Sequence, residues 1–116
     1  DALPILYNDT DMNVTKAKEM LENLGILSLA DIYANELSGG ELRRMAIVRA
    51  LINEPEIIIA DEPTGDLDDE STVLVLGLLK RLASEGRSVL MVTHDKEAAE
   101  YADNLYNMDR GILREV

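Results

Sequence analysis

The chain has 116 residues, enough for one hydrophobic core and too few for two. A formal net charge of -12, from 23 Asp and Glu against 11 Lys and Arg, works against attraction to phosphodiester backbones, so nucleic acid is not an expected partner. The absence of Cys excludes disulfides and thiolate metal sites, and the absence of Phe and Trp leaves Leu, Ile, Val, Met and Ala to build the core. No apolar run reaches the ~20 residues that span a bilayer, and the acidic start Asp1-Ala2-Leu3-Pro4 does not read as a signal peptide, so a soluble chain is expected.

Pro4 and the turn-rich Asn8-Asp9-Thr10-Asp11 predict a connector over the first dozen residues, entering a helix near Asn13. Val14, Ala17, Leu21 and Leu24 recur at helical spacing, and Gly25 stands where a left-handed C-terminal cap belongs. A second short helical piece is expected from Ser28 to Tyr33. After Leu37-Ser38-Gly39-Gly40-Glu41, a longer helix runs through Ala46, Val48, Ala50 and Leu51 toward Pro55. The period then changes. Ile57-Ile58-Ile59-Ala60 reads as a buried parallel strand, followed by a helix from Glu70 to Ser84 that Glu85-Gly86 ends. A second buried strand is expected over Ser88 to Thr93, a helix capped by Asp95 over Lys96 to Ala102, and a third strand over Leu105 to Met108 before a turn at Arg110-Gly111. Strand, helix, strand, helix, strand predicts an α/β fold with a parallel sheet.

Chemistry-bearing residues gather where such a sheet places its ligands, at the C-terminal ends of the strands. Asp61 and Glu62 follow the isoleucine run, and adjacent carboxylates can divide labour, one holding magnesium through water while the other accepts a proton from an attacking water. A solvated acidic loop after a buried strand fits the same residues. Ser38-Gly39-Gly40 opens a helix, so its amides and dipole suit a phosphate, yet a plain N-cap fits equally. His94, the sole imidazole, directly follows the strand ending at Thr93; it can hydrogen-bond a phosphate oxygen or simply start a helix at the surface.

Taken together, Leu37-Ser38-Gly39-Gly40-Glu41, Ile57-Ile58-Ile59-Ala60-Asp61-Glu62-Pro63-Thr64-Gly65-Asp66-Leu67-Asp68 and Thr93-His94-Asp95 resemble the ATP-binding-cassette transporter ATPases in order and spacing. The resemblance covers essentially the whole chain. It implies the C-terminal half of a nucleotide-binding domain: a partial P-loop NTPase (RecA-like) parallel sheet at 55–116, and an α-helical signature subdomain at 1–54 that begins just beyond the family's glutamine-bearing loop. It implies ATP and Mg2+ as cofactors. Asp61 matches the Walker B aspartate near the metal, Glu62 the general base, and His94 the switch histidine. Ser38, Gly39, Gly40 and Glu41 match the signature loop that contacts ATP held by a partner subunit, and Asp68 matches the aspartate of the loop crossing the dimer interface.

Pro63-Thr64-Gly65 with Leu67-Asp68 is similar to the subgroup serving lipoprotein release and macrolide export. Asp66 stands where that subgroup commonly has Asn, and Leu42-Arg43-Arg44 departs from its Gln-rich run, so the substrate stays open. Arg43, Arg44 and Arg49 read most simply as a solvated helix face. No Gly-x-x-x-x-Gly-Lys-Ser/Thr occurs, so the chain lacks the Walker A loop and its strand, and by itself is expected to bind ATP poorly. In the family that strand lies between those at Ser88 to Thr93 and Leu105 to Met108, and the unfilled slot predicts that the chain rearranges, exchanges strands with another copy or stays partly molten, with self-association through the exposed sheet edges and apolar helix faces. The resemblance further implies a second nucleotide-binding subunit, a transmembrane permease partner, and a cytoplasmic place on the inner face of the membrane. Two other readings share the motifs: the C-terminal lobe of a chromosome-maintenance or DNA-repair ATPase, and a non-enzymatic interaction module. Pro63-Thr64-Gly65, the lack of coiled-coil heptads before Leu37 and the acidic balance count against the first.

Overall fold

A computed structural model describes residues 11–116; the connector expected before residue 11 lies outside the described residues. Helix α1 spans Asp11–Asn23 and buries Ala17 and Leu21, with Leu24 buried just past its end. It ends as the sequence predicts. Gly25 adopts φ +72, the Ile26 amide reaches back to the Leu21 carbonyl at 2.9 Å, and Ile26 is 1% exposed, which together make a left-handed glycine cap closed by an apolar contact. The helix expected over Ser28 to Tyr33 is instead two single turns of 3-10 helix, Leu27–Leu29 and Ala34–Glu36. That stretch offers too short an apolar period to sustain an α-helix, which gains stability chiefly by burying one face.

Helix α2, Gly39–Leu51, starts from a capping box. Ser38 Oγ accepts from the Glu41 amide at 3.2 Å, and Glu41 Oε1 accepts from the Ser38 amide at 2.9 Å. Met45, Val48 and Leu51 form its buried stripe. Strand β1, Ile57–Asp61, pairs in parallel with β2, Ser88–Val92, in a register from Ile57↔Ser88 to Asp61↔Val92. Between them runs α3, Asp69–Ser84, capped by Asp68, whose carboxylate accepts from the Ser71 amide at 2.7 Å. One continuous core joins α1 and α2 to Ile58, Val75, Leu78, Leu79 and Leu82.

Three expectations for the second half need correction. The strands are not buried on both faces: Ile57 and Ile59 are 68% and 72% exposed, and Leu90 and Val92 lie open beside them, because helices cover one face of the sheet only. The helix after Asp95 is a single turn, α4 (Lys96–Ala99), rather than reaching Ala102. The third strand, β3 (Tyr106–Asp109), does not join the parallel sheet. It pairs antiparallel with β4, Ile112–Glu115, across a two-residue turn with positive φ at both Arg110 and Gly111. That turn matches the twist of a hairpin, so the nearest available edge wins. Among the described residues each sheet therefore has two strands, and the parallel pair has no strand partner on its outer edges.

Two glycines test this account. Gly25→Ala should destabilise the chain by ~1–2 kcal/mol, because an L side chain is strained at that φ. Gly77→Ala, at an exposed helical position with nothing within 4 Å of the added Cβ, should stabilise it by roughly 0.5–1 kcal/mol. Urea unfolding midpoints shifting in opposite directions are the expected result.

Candidate functional site

The loop after β1 carries the densest set of polar contacts in the described structure. Beyond Asp61 the parallel pairing continues by one bond, from the Glu62 amide to the Val92 carbonyl at 2.8 Å. Glu62 then turns into the left-handed region at φ +47, which sends its side chain toward the segment following β2. Its carboxylate is received there on both oxygens. Thr93 Oγ1 donates to Oε2 at 3.0 Å, the His94 amide donates to Oε1 at 2.9 Å, and His94 Nδ1 lies 2.6 Å from the same oxygen. Thr93 Oγ1 also accepts from the Asp95 amide at 3.0 Å, so the threonine is itself oriented. Asp95 accepts from the Glu97 amide and caps α4, which fixes the far end of the chain of contacts.

The electrostatics follow from that geometry. Partial burial pushes the Glu62 carboxyl up, but the hydrogen bonds from the His94 and Thr93 side chains and the His94 amide outweigh it and hold it below the usual glutamate range. Glu62 is therefore ionised at neutral pH, and the contact with His94 requires the proton on Nδ1. Because the folded value is depressed, the network's stabilisation is present above the unfolded value and is lost as pH falls through the folded one.

Ser38 and Glu41 complete the capping box at the exposed start of α2, and nothing stands within 4 Å of a Cβ on Gly39. The Ser38 hydroxyl accepts its intrahelical bond, so its own proton is left to donate outward. Bonding from the Ser38 amide and hydroxyl holds Glu41 below its ordinary range, as bonding from Ser71 does for Asp68. An ionised Glu41 weakens the attraction of this helix start for an anion, so Ser38 to Gly40 makes at most a weak phosphate site unaided.

The structure thus brings Glu62 and His94 together, sets Asp61 beside them at the exposed end of β1, and holds Ser38 to Glu41 on a separate surface. Two contacts join these surfaces. Leu67 packs 3.8 Å from a Cβ position on Gly40, and Arg43 Nη2 donates to the Glu62 carbonyl at 2.5 Å. Arg43 and Arg44 are therefore not a solvated face: Arg44 Nη1 donates to the Leu24 carbonyl at the end of α1 at 3.1 Å. Sequence reasoning missed Thr93 and Arg43 as site residues. A threonine directly before the lone histidine was a readable signal for the first; for the second, nothing short of the fold places a helix arginine against a loop 19 residues away. A cleft of about 240 Å³ lined by Lys16, Met20, Pro55, Ile58 and Arg87 lies at the opposite, N-terminal end of β1 and takes no part in this arrangement.

The residue pattern that defines the ABC transporter family matches residues 5–65, more than half of the chain. An uncharacterized ABC transporter ATP-binding protein of Methanocaldococcus jannaschii is 40% identical over 116 residues, 98% of this chain and 52% of its own length. The macrolide export ATP-binding/permease protein MacB of Bdellovibrio bacteriovorus is 38% identical over 97% of this chain and 17% of its own length. A lipoprotein-releasing system ATP-binding protein of Rhodopirellula baltica is 42% identical over 86% of this chain and 40% of its own. Among solved structures, a bacterial ABC transporter cassette described as dimeric superposes with a TM-score of 0.82 at 31% identity, covering 98% of this chain and 53% of that one. The chain spans about half the length, or less, of these relatives.

The network predicts a titration. His94→Ala should raise the Glu62 carboxyl midpoint in a carbon-detected NMR titration, since a side-chain partner of the ionised form is lost. An unmoved midpoint would show that the imidazole does not hold the carboxylate.

Proposed function

The chain belongs to the ABC transporter family, and from that premise we propose that it supplies the hydrolytic and signature elements of a nucleotide-binding domain that hydrolyses ATP to drive a membrane transporter. The observation that carries the proposal is the Glu62 carboxylate, ionised and oriented by Thr93 and His94 at the C-terminal end of a parallel sheet. A carboxylate so held can take a proton from water without first reorganising, which is what a general base requires.

His94 has a second part. With Nδ1 turned to Glu62, Nε2 is the ring nitrogen left to face a γ-phosphate oxygen, which it can hydrogen-bond when it carries a proton. The histidine can thereby report the γ-phosphate to the base beside it. Ser38, Gly39 and Gly40 would donate to ATP held by a second subunit, with Glu41 fixing the Ser38 geometry and Asp68 fixing the start of α3 at the interface. Among the described residues no group of three or more His, Cys, Asp or Glu side chains forms a metal cage. Asp61, at the exposed end of β1, would hold a magnesium ion, in part through water, and the ion would supply charge neutralisation when bound.

A second nucleotide-binding subunit and a membrane permease are the partners this reading calls for, with 1–54 as the docking portion and 55–116 as the catalytic one. No helix among the described residues is long and apolar enough to cross a membrane. The relatives' names, ATP-binding proteins of transport systems, support a cytoplasmic position on the membrane's inner face. Lipoprotein release and macrolide export are the substrate classes the relatives' names favour. The same names count against a DNA-repair lobe.

In the full-length protein, Glu62→Gln should lower ATP turnover by roughly 10²- to 10⁴-fold while leaving nucleotide binding nearly intact. Undiminished turnover would end the general-base assignment. For the 116-residue chain by itself, the exposed Ile57, Ile59, Leu90 and Val92 face and the open strand edges favour association with further copies. Sedimentation should show species above 12.8 kDa as concentration rises; a monomer throughout would refute this.

A further inference from the structure

Arg43 lies on α2 near the start of the helix, and its side chain is one-third exposed. Its Nη2 donates to the Glu62 carbonyl at 2.5 Å, and its Nη1 stands 3.9 Å from Asp66 Oδ2. Gly65 lies alongside this contact: a Cβ there would sit 3.4 Å from Arg43 Nη2 and 3.5 Å from the Glu62 carbonyl oxygen, in van der Waals contact with both.

The contact matters because of where it acts. Glu62 combines a left-handed backbone, disfavoured for any L residue with a side chain, with a position directly before Pro63, which restricts its backbone further. Such a conformation persists only when its surroundings over-determine it. Here the amide is held by Val92, the carboxylate by Thr93 and His94, and the carbonyl by Arg43 together with the Gly65 amide at 3.2 Å. Of these anchors, Val92, Thr93 and His94 belong to β2 and the segment after it; Arg43 alone belongs to the helix whose first turn is Ser38-Gly39-Gly40.

We propose that Arg43 is a positioning residue that couples the two ATP sites, tying the backbone of Glu62 to the helix that presents Ser38, Gly39 and Gly40. This rests on reading Glu62 as the general base. When the signature loop engages a nucleotide on the partner subunit, any shift of α2 reaches the Glu62 carbonyl through one charge-assisted bond rather than through a mobile loop. Without the guanidinium, the Glu62 carbonyl keeps only its local bond from the Gly65 amide and loses its tie to α2, so the carboxylate is less firmly placed.

The test uses the full-length protein and a cycle of Arg43→Met, Arg43→Lys and Glu62→Gln, with steady-state and single-turnover ATP hydrolysis. Arg43→Met should lower kcat by about 10- to 100-fold, the cost of a small misplacement of a catalytic group, with the KM for ATP within about twofold of the parent. Arg43→Lys, which keeps a charged donor, should recover part of the loss. In the Glu62→Gln background, Arg43→Met should have no further effect, because a residue acting through Glu62 has nothing left to position. Equal fold losses in both backgrounds, or a raised KM with kcat unchanged, would overturn the proposal. Undiminished turnover of Glu62→Gln alone would instead overturn the reading on which it rests, so the two failures are distinguishable.

Discussion

The left-handed turn at Glu62 is the constraint around which the rest of the site is arranged. A strand that simply continued would carry this carboxylate past the end of the sheet into solvent. By reversing at Glu62, the chain returns the side chain to the neighbouring strand's last residues, where a hydroxyl, an amide and an imidazole meet it. Each partner is supported in turn: Thr93 by the Asp95 amide, Asp95 by the cap it makes on α4, and the Glu62 carbonyl by α2. Hydrogen bonds to an ionised group are stronger than neutral ones, and this network places several on one residue whose backbone would otherwise relax.

The same chain is well determined on one side and open on the other. Helices α1, α2 and α3 share a continuous core with the inner face of β1, while the outer face presents Ile57, Ile59, Leu90 and Val92 to solvent. Alternating strand residues make this division unavoidable: what faces α3 cannot also face the other layer. That outer face is a contiguous exposed apolar patch.

Charge divides the functional residues in a similar way. The depressed carboxyls of Glu41, Glu62 and Asp68 are each stabilised by local donors rather than by an ion pair with Lys or Arg as the first cause. For Glu41 and Asp68 the donors are the amide and hydroxyl of a serine at a helix start, Ser38 and Ser71. For Glu62 they come from Thr93 and His94 in the segment after β2 and orient the carboxylate.

Much of this was legible before folding. Gly25 announced the end of α1, Ser38 the start of α2, Asp95 the cap of α4, and Arg110-Gly111 a tight turn, because each depends on contacts within a few residues. The motif residues Asp61, Glu62 and His94 stood out because a period change located the strand ends. What the sequence did not carry was which strand edges would pair, which strand faces would be covered, and where the long arginines would reach. Leu105 to Met108 reads as a parallel strand in isolation and becomes a hairpin only because β4 follows its turn. Arg43 reads as a surface charge and becomes a tether only when α2 lies against the loop after β1. Local chemistry is written in short-range residue patterns; pairing, coverage and long-range hydrogen bonds exist only once distant segments meet, so they belong to the tertiary structure.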